Sequence, residues 1–345
     1  MISLGPLAAP GDRLAWTSAL AAAEDWFRGE AEDLGLRVER DPAGNLWACP
    51  DAPPPWWGVG SHLDTVREGG RFDGALGVVA GLEVARRTDL PIAVVSFADE
   101  EGAGFNTPTF GSRALVGRPH AVTETHAAAL REFGVDPERI VRAPEWLSRL
   151  RGFLELHIDQ SREIWDMGVP VAAVSRLASR ARVHVHLRGE ANHAGTTPME
   201  TRRDALRAAA ELIVRATDVA PPMRATATRI LVEPNALSTI AQSVDLWLDA
   251  RSPGSLDDWI AGLPGTVESR SDGVEFSPQV RAALGGPEVV CFAGHDAGIL
   301  AERIPAGMLL VRNERGVSHS PEEHVELADA EAGVERMVTA LEALA

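Results

Sequence analysis

The segment LPIAVVSFADEEG, residues 90–102, limits how this chain can fold more than any other. Its apolar run is far shorter than the roughly 18–20 residues a membrane span needs. It therefore has to be sheltered as a buried strand inside a sheet. It also ends in three adjacent carboxylates, Asp99, Glu100 and Glu101. Such groups repel one another, and burying them without cations is costly. WWGVGSHLDTV, residues 56–66, has the same form: an apolar strand running into His62 and Asp64. Between the two, ALGVVAGLEVARRT reads as a helix. This strand–helix–strand alternation predicts an α/β sheet with helices on its faces. Ligands in such sheets gather beyond the carboxyl ends of the strands, where His62, Asp64, Glu100 and Glu101 fall.

Upstream, AWTSALAAAEDWFRGEAEDLGL has the apolar spacing of a helix, and VERDPAGNLWACP reads as strand, turn, strand. FLELHIDQ is a further strand ending near His157. The character then changes. RARVHVHLRGEANHAG alternates like a half-buried strand, TRRDALRAAAELIVRAT is an amphipathic helix, and TATRILVEPN and SVDLWLDAR are strands. SLDDWIAGL reads as a short helix and VEFSPQV as a last strand. This pattern predicts a small sheet with helices on one face. PEVVCFAGHDAGILAERI and PAGMLLVRN return to buried-strand and helix patterns, and ELADAEAGVERMVTALEAL closes as a helix. The expected layout is a discontinuous catalytic domain, 1–171 and 283–345, with a central, mostly parallel sheet flanked by helices. A smaller α+β lid, 172–282, is inserted in it.

Composition narrows the function classes. A chain of 345 residues can bury roughly 75% of its unfolded surface. A formal net charge of −17 disfavours nucleic acid and anionic membranes as partners. The N-terminus has no basic start followed by an apolar stretch, so a cytoplasmic protein is expected. Cys49 and Cys291 make no disulfide framework and lack metal-type spacing. All 33 basic residues are arginine.

The histidines and carboxylates point to metal. Asp73 follows His62 by eleven residues, in a Gly-rich turn before a helix, where a carboxylate could bridge two ions. His157 in LELHIDQ and His319 in GVSHSPEE bring the set to three imidazoles with Asp73 and Glu101. Mixed nitrogen and oxygen ligands suit Zn²⁺, Mn²⁺, Co²⁺ or Ni²⁺. Two such ions roughly 3.5–4 Å apart can share a hydroxide and polarise a carbonyl. His120, His126, His184, His186 and His324 read as ordinary core or surface histidines.

Taken together, GSHLDTVREGGRFDGALGVVAGLEV, FADEEGAGF, GSRALVG, LELHIDQ, GEANHAGTTPM, GHDA and GVSHSPEE resemble the M20-type metallohydrolases. Within them the chain is similar to the branch of N-carbamoyl-L-amino-acid hydrolases, allantoate amidohydrolases and β-ureidopropionases. The eleven-residue spacing and the histidine before the lid select that branch. The resemblance implies two divalent ions per subunit, held by His62, Asp73, Glu101, His157 and His319. It implies Glu100 as general base and acid acting with a metal-bound hydroxide, and Asp64 as support for His62. It also implies a homodimer paired through the lid, with His193 reaching the partner's site. Arg251 resembles an arginine that grips a substrate carboxylate, with Gln160, Asn235 and Ser238 beside the substrate. Ser238 stands where an asparagine is usual, and Ser161 and Arg162 stand where Gly and Pro are usual.

The expected activity is hydrolysis of a linear amide or ureido C–N bond in a small, carboxylate-bearing molecule. An aminoacylase or dipeptidase of the same family is the alternative within enzymes. A non-catalytic metal-binding protein is the alternative outside them; Glu100, which need not bind metal, speaks against it.

Overall fold

The computed structural model describes residues 3–8 and 12–345. Residues 1, 2 and 9–11 of the N-terminal stretch read above for targeting lie outside the described residues. In chain order the strands are β1 (Arg37–Arg40), β2 (Leu46–Cys49), β3 (Trp56–His62), β4 (Ile92–Phe97), β5 (Leu150–Ile158), β6 (Val171–Leu177) and β7 (Ser179–Arg188). They continue with β8 (Arg224–Glu233), β9 (Ser243–Ser252), β10 (Thr266–Ser271), β11 (Val274–Glu275), β12 (Glu288–Cys291) and β13 (Ala306–Val311).

Two compact units emerge. The first comprises Met1–Ser175, Glu275–Val289 and Ala293–Ala345. Its sheet runs β1-β2-β4-β3-β5-β13-β6-β11, with β12 beside β6. The central four strands, β4-β3-β5-β13, are mutually parallel, and antiparallel strands flank them. All residues of β3, β4 and β13 are buried, which is why these segments read as unbroken apolar runs instead of alternating ones. Helix Ala75–Arg87 packs on β3, β4 and β5, and helix Leu327–Leu344 packs on that helix and on β13.

The second unit is Arg176–Val274 with Val290–Phe292. It is a four-stranded antiparallel sheet, β10-β7-β9-β8. Helix Ala205–Thr217 covers one face, setting Ala205, Ala209, Leu212 and Ala216 against Val183, Val185, Leu246 and Leu248. Asp204 caps that helix by accepting from the N–H groups of Leu206 and Arg207, as a carboxylate at a helix start should.

VEFSPQV, read above as a strand, is a strand only at Val274–Glu275. Ser277 caps a helix, Pro278–Leu284, by accepting from Val280 N–H, and Pro278 fills its first turn. Cap chemistry outweighs the apolar alternation there. Among the described residues no helix is long and apolar enough to cross a membrane.

Candidate metal centre

Three adjacent parallel strands deliver most of the chemistry. His62 ends β3 opposite Phe97 of β4, and Asp99, Glu100 and Glu101 follow directly. On the other side of β3, His157 lies near the end of β5, paired with Leu310 of β13. Asp73 sits in the turn leading into helix Ala75–Arg87. Gly74 makes that turn possible: its φ is +65°, and a Cβ there would fall 2.4 Å from the His62 ring.

His62 donates Nδ1–H to the carbonyl of Asp64, 3.0 Å away, and His157 does the same to the carbonyl of Ile158, also at 3.0 Å. A carbonyl can only accept, so each Nδ1 carries a proton, and in the neutral ring each Nε2 then has its lone pair free for a cation. Both point at Asp73. His157 Nε2 is 3.1 Å from Asp73 Oδ1, and His62 Nε2 is 3.8 Å from the same oxygen. The other oxygen, Oδ2, is 3.5 Å from His319 Nε2, which is also 3.5 Å from Glu101 Oε2. Two groups therefore share one carboxylate: His62, Asp73 and His157, all buried, and Asp73, Glu101 and His319, with ligand atoms inside 4.8 Å in each group. Glu100 Oε2 lies 3.8 Å from His62 Nε2.

Asp64 lies just past the end of β3. Its carbonyl, and not its carboxylate, takes the His62 proton; the carboxylate accepts the backbone N–H of Glu100 and Glu101 at 3.2 and 3.1 Å. The acidic triplet splits. Asp99, at φ +51°, turns away and accepts from Trp16 Nε1 and the Thr107 hydroxyl. Glu100 and Glu101 alone join the histidines.

The electrostatics show a centre short of positive charge. Burial, reinforced by Asp73 and Asp64, pushes the Glu101 carboxyl up to about 9. Burial, with Asp296 and Glu101 nearby, holds Glu100 well above the ordinary range. Burial pushes Asp73 upward, but His157, His62 and His319 outweigh it and hold that carboxyl below the usual range. Burial pulls His157 down, yet Asp73 lifts it to about 9, whereas His62 is pulled to about 4. Asp73 Oδ2, Glu101 Oε1 and His157 Nε2 are buried without a hydrogen-bond partner. Orphaned acceptors facing one another are what divalent cations satisfy, and the nitrogen and oxygen donors here fit such ions.

Sequence reasoning passed over four neighbours. His295 is buried with its ring 4.4 Å from that of His157, and its Nε2 has no partner. Asp296 beside it is fully buried. Glu155 accepts from the Ser61 hydroxyl at 2.7 Å and Ala297 N–H at 2.8 Å. Glu323 accepts from Phe72 and Asp73 N–H. For Glu155 a signal existed: two residues before His157 on a strand, it shares that face. GHDA held His295 and Asp296, and GVSHSPEE ended in Glu323.

His193, Asn235, Ser238 and Arg251 belong to the second unit, and Gln160 follows β5. His193 Nδ1 accepts from the N–H groups of Gly195 and Thr196 at 3.0 and 3.2 Å, so the neutral ring carries its proton on Nε2. Ala194 N–H donates to the Ser238 carbonyl at 2.8 Å, tying these two loops together. Arg251 donates to the Phe292 carbonyl and stands directly opposite Arg180 on β7 and Arg224 on β8. His184 and His186 both bond Asp245 on the same sheet, while His126 stacks on Phe105.

Comparison with known proteins agrees with this geometry. Residues 58–343 match the peptidase family M20/M25/M40. The N-carbamoyl-L-amino acid amidohydrolase of Geobacillus stearothermophilus is 35% identical, over 94% of this chain and 90% of its own. The allantoate amidohydrolase of Bacillus subtilis is 28% identical, over 96% and 92%. A crystal structure of a hydantoinase/carbamoylase family amidase from Burkholderia multivorans superposes with a TM-score of 0.81 at 28% identity, covering 98% of this chain and 94% of that one. From the parallel strand ends that carry the paired ligand groups to the extent of these matches, this chain belongs to the M20/M25/M40 peptidase family.

Proposed function

We propose that this chain is a two-metal amidohydrolase that cleaves a linear amide or ureido C–N bond in a small molecule bearing a carboxylate. The observation that carries this reading is Asp73, whose two oxygens face two different groups of ligand-type side chains. His62, Asp73 and His157 would hold one divalent ion, and Asp73, Glu101 and His319 the other. Ions of the zinc, manganese, cobalt or nickel kind bound there would supply Lewis acidity and lower the pKa of water.

Glu100 does the proton work. It takes a proton from the attacking water as the new C–O bond forms, then gives it to the leaving nitrogen as the C–N bond breaks. Asp64 holds Glu100 and Glu101 by their backbone N–H groups and fixes His62 through its carbonyl. His193, with its proton on Nε2, is a donor suited to the oxygen that gains charge as water adds. In a homodimer paired through the second unit, it would serve the partner's site. Arg251, in a row with Arg180 and Arg224, supplies the positive charge for the carboxylate, since a guanidinium makes a planar two-bond contact. Gln160, Asn235 and Ser238 complete the substrate contacts in this reading.

The named activities of the relatives support the substrate class: N-carbamoyl-L-amino acids in one case, allantoate in another. With an N-carbamoyl substrate, water and the substrate give the free amino acid and carbamic acid, which decays to CO₂ and ammonia. The test is turnover by metal-loaded protein of N-carbamoyl amino acids, allantoate, β-ureidopropionate, N-acyl amino acids and dipeptides. Ammonia release from a ureido substrate is expected. Turnover of dipeptides alone would overturn the reading.

A further inference from the structure

Glu323 is buried to 2% exposure although it lies on the loop that carries half-exposed His319. Its Oε1 accepts the backbone N–H of Phe72 at 3.2 Å and of Asp73 at 2.9 Å. Its Oε2 faces the Ser318 hydroxyl at 3.4 Å. One carboxylate thus ties together two segments about 250 residues apart: the turn that presents Asp73, and the residue next to His319. Gly70 makes room for it, because a Cβ at that position would fall 2.3 Å from Glu323 Oε1.

His319 needs such an anchor. It sits in an irregular segment between β13 and helix Leu327–Leu344, with φ at +54°. A left-handed non-glycine residue is strained and persists only where its surroundings impose it. At the start of the segment Asn313 donates to the carbonyls of Asp159 and Val317; at its end Glu323 supplies the tie to the Asp73 turn. Asp73 has a second support in the start of helix Ala75–Arg87, where Ala75 N–H donates to the Asp73 carbonyl at 2.7 Å. His319 has no equivalent regular element beneath it.

We propose that Glu323 is a positioning residue that locks the His319 loop to the Asp73 turn and so sets the affinity of the group formed by Asp73, Glu101 and His319. This rests on the two-metal reading above. His62 and His157 stand on strands and are oriented by their own backbone bonds, so their group is far less sensitive to Glu323.

The test is titration of metal-stripped, full-length protein with Zn²⁺ against a chromophoric chelator, repeated with Co²⁺ to record the visible spectrum of each step. Wild type is expected to bind two ions. Glu323→Ala should weaken one step by roughly 10- to 100-fold, the usual effect of losing an outer-shell partner, and leave the other within about threefold of wild type. Gly70→Ala, whose methyl would displace the carboxylate while residue 323 stays glutamate, should reproduce this if Glu323→Ala does not fold. Glu323→Gln keeps an oxygen for the Phe72 and Asp73 N–H groups and should recover most of the lost affinity. Two wild-type steps in both alanine variants, or equal weakening of both steps, overturns the proposal while the two-metal reading stands. A wild-type protein that binds no ion overturns both.

Discussion

His157 Nε2 lies 3.1 Å from Asp73 Oδ1, although the imidazole already spends its Nδ1 proton on the Ile158 carbonyl. A nitrogen and a carboxylate oxygen that close need a positive charge between them, a proton on Nε2 or a bound cation in its place. Of the two groups that meet at Asp73, that carboxylate serves both and His157 one, so their substitutions should differ. Asp73→Ala is expected to strip both ions and His157→Ala mainly one, by elemental analysis of gel-filtered protein. A chelator should abolish activity, and added Zn²⁺, Mn²⁺ or Co²⁺ should restore it. Full metal content in Asp73→Ala would refute the shared-carboxylate arrangement.

Glu100 and Glu101 are neighbours with separate tasks. Glu100→Gln should lower kcat by roughly 10²–10⁴, the usual range for a lost general base, with metal content close to wild type. Glu101→Gln should lose metal first. Equal metal loss in both variants would mean that the roles are assigned wrongly.

For Arg251, the contact at stake is a charged hydrogen-bond pair worth roughly 1.5–3 kcal/mol. Arg251→Lys should therefore raise KM roughly 10- to 150-fold, with a smaller change in kcat. Ser238→Asn should shift preference toward ordinary N-carbamoyl amino acids. An unchanged KM in Arg251→Lys would remove the carboxylate clamp from the reading.

His193 tests the dimer. Inactive His193→Ala and inactive Glu100→Gln proteins, mixed under conditions of subunit exchange, should regain at most about a quarter of wild-type activity. Half the dimers would be mixed, and in each of those one of two sites would be intact. No recovery in verified mixed dimers would place His193 in its own chain's site.

Cys49 offers a pH measurement away from the centre. Burial, with Glu39 beside it, pushes its thiol up to about 11 from an ordinary 9. Between those values the folded chain keeps a proton that the unfolded chain has released. Stability from this group is therefore present below about 9 and is lost as pH rises toward 11. Peptide mapping after iodoacetamide at pH 8–9 should find Cys49 unmodified in folded protein and alkylated in urea. Rapid labelling of the folded form would contradict its burial.

Much of this was readable from residues alone, because β3, β4 and β13 are buried throughout and most of the ligand-type side chains come at or just past the strand ends. His62, Glu100, Glu101 and His157 were therefore visible as strand-end residues. What periodicity could not show was direction. Asp99 carries the same charge as its neighbours, yet its left-handed backbone turns it toward Trp16. Asp64 supports His62 through a main-chain carbonyl, a contact that no residue type announces. Glu323 and Glu155 act across segments hundreds or scores of residues apart, so only the folded chain reveals their partners. VEFSPQV was misread because a Ser–Pro helix start is a local signal that alternation scoring ignores.

The strand order β5-β13-β6 has a consequence during synthesis. β5 and β6 are made one after the other, yet the structure keeps a slot between them for β13, residues 306–311. Until the ribosome has delivered those residues, both strands are open edges with unpaired N–H and C=O groups. The whole second unit is translated during that interval. Nascent chains and C-terminal truncations must therefore expose a sticky, half-built sheet, and chaperone demand should peak late in translation and fall only after Val311 emerges.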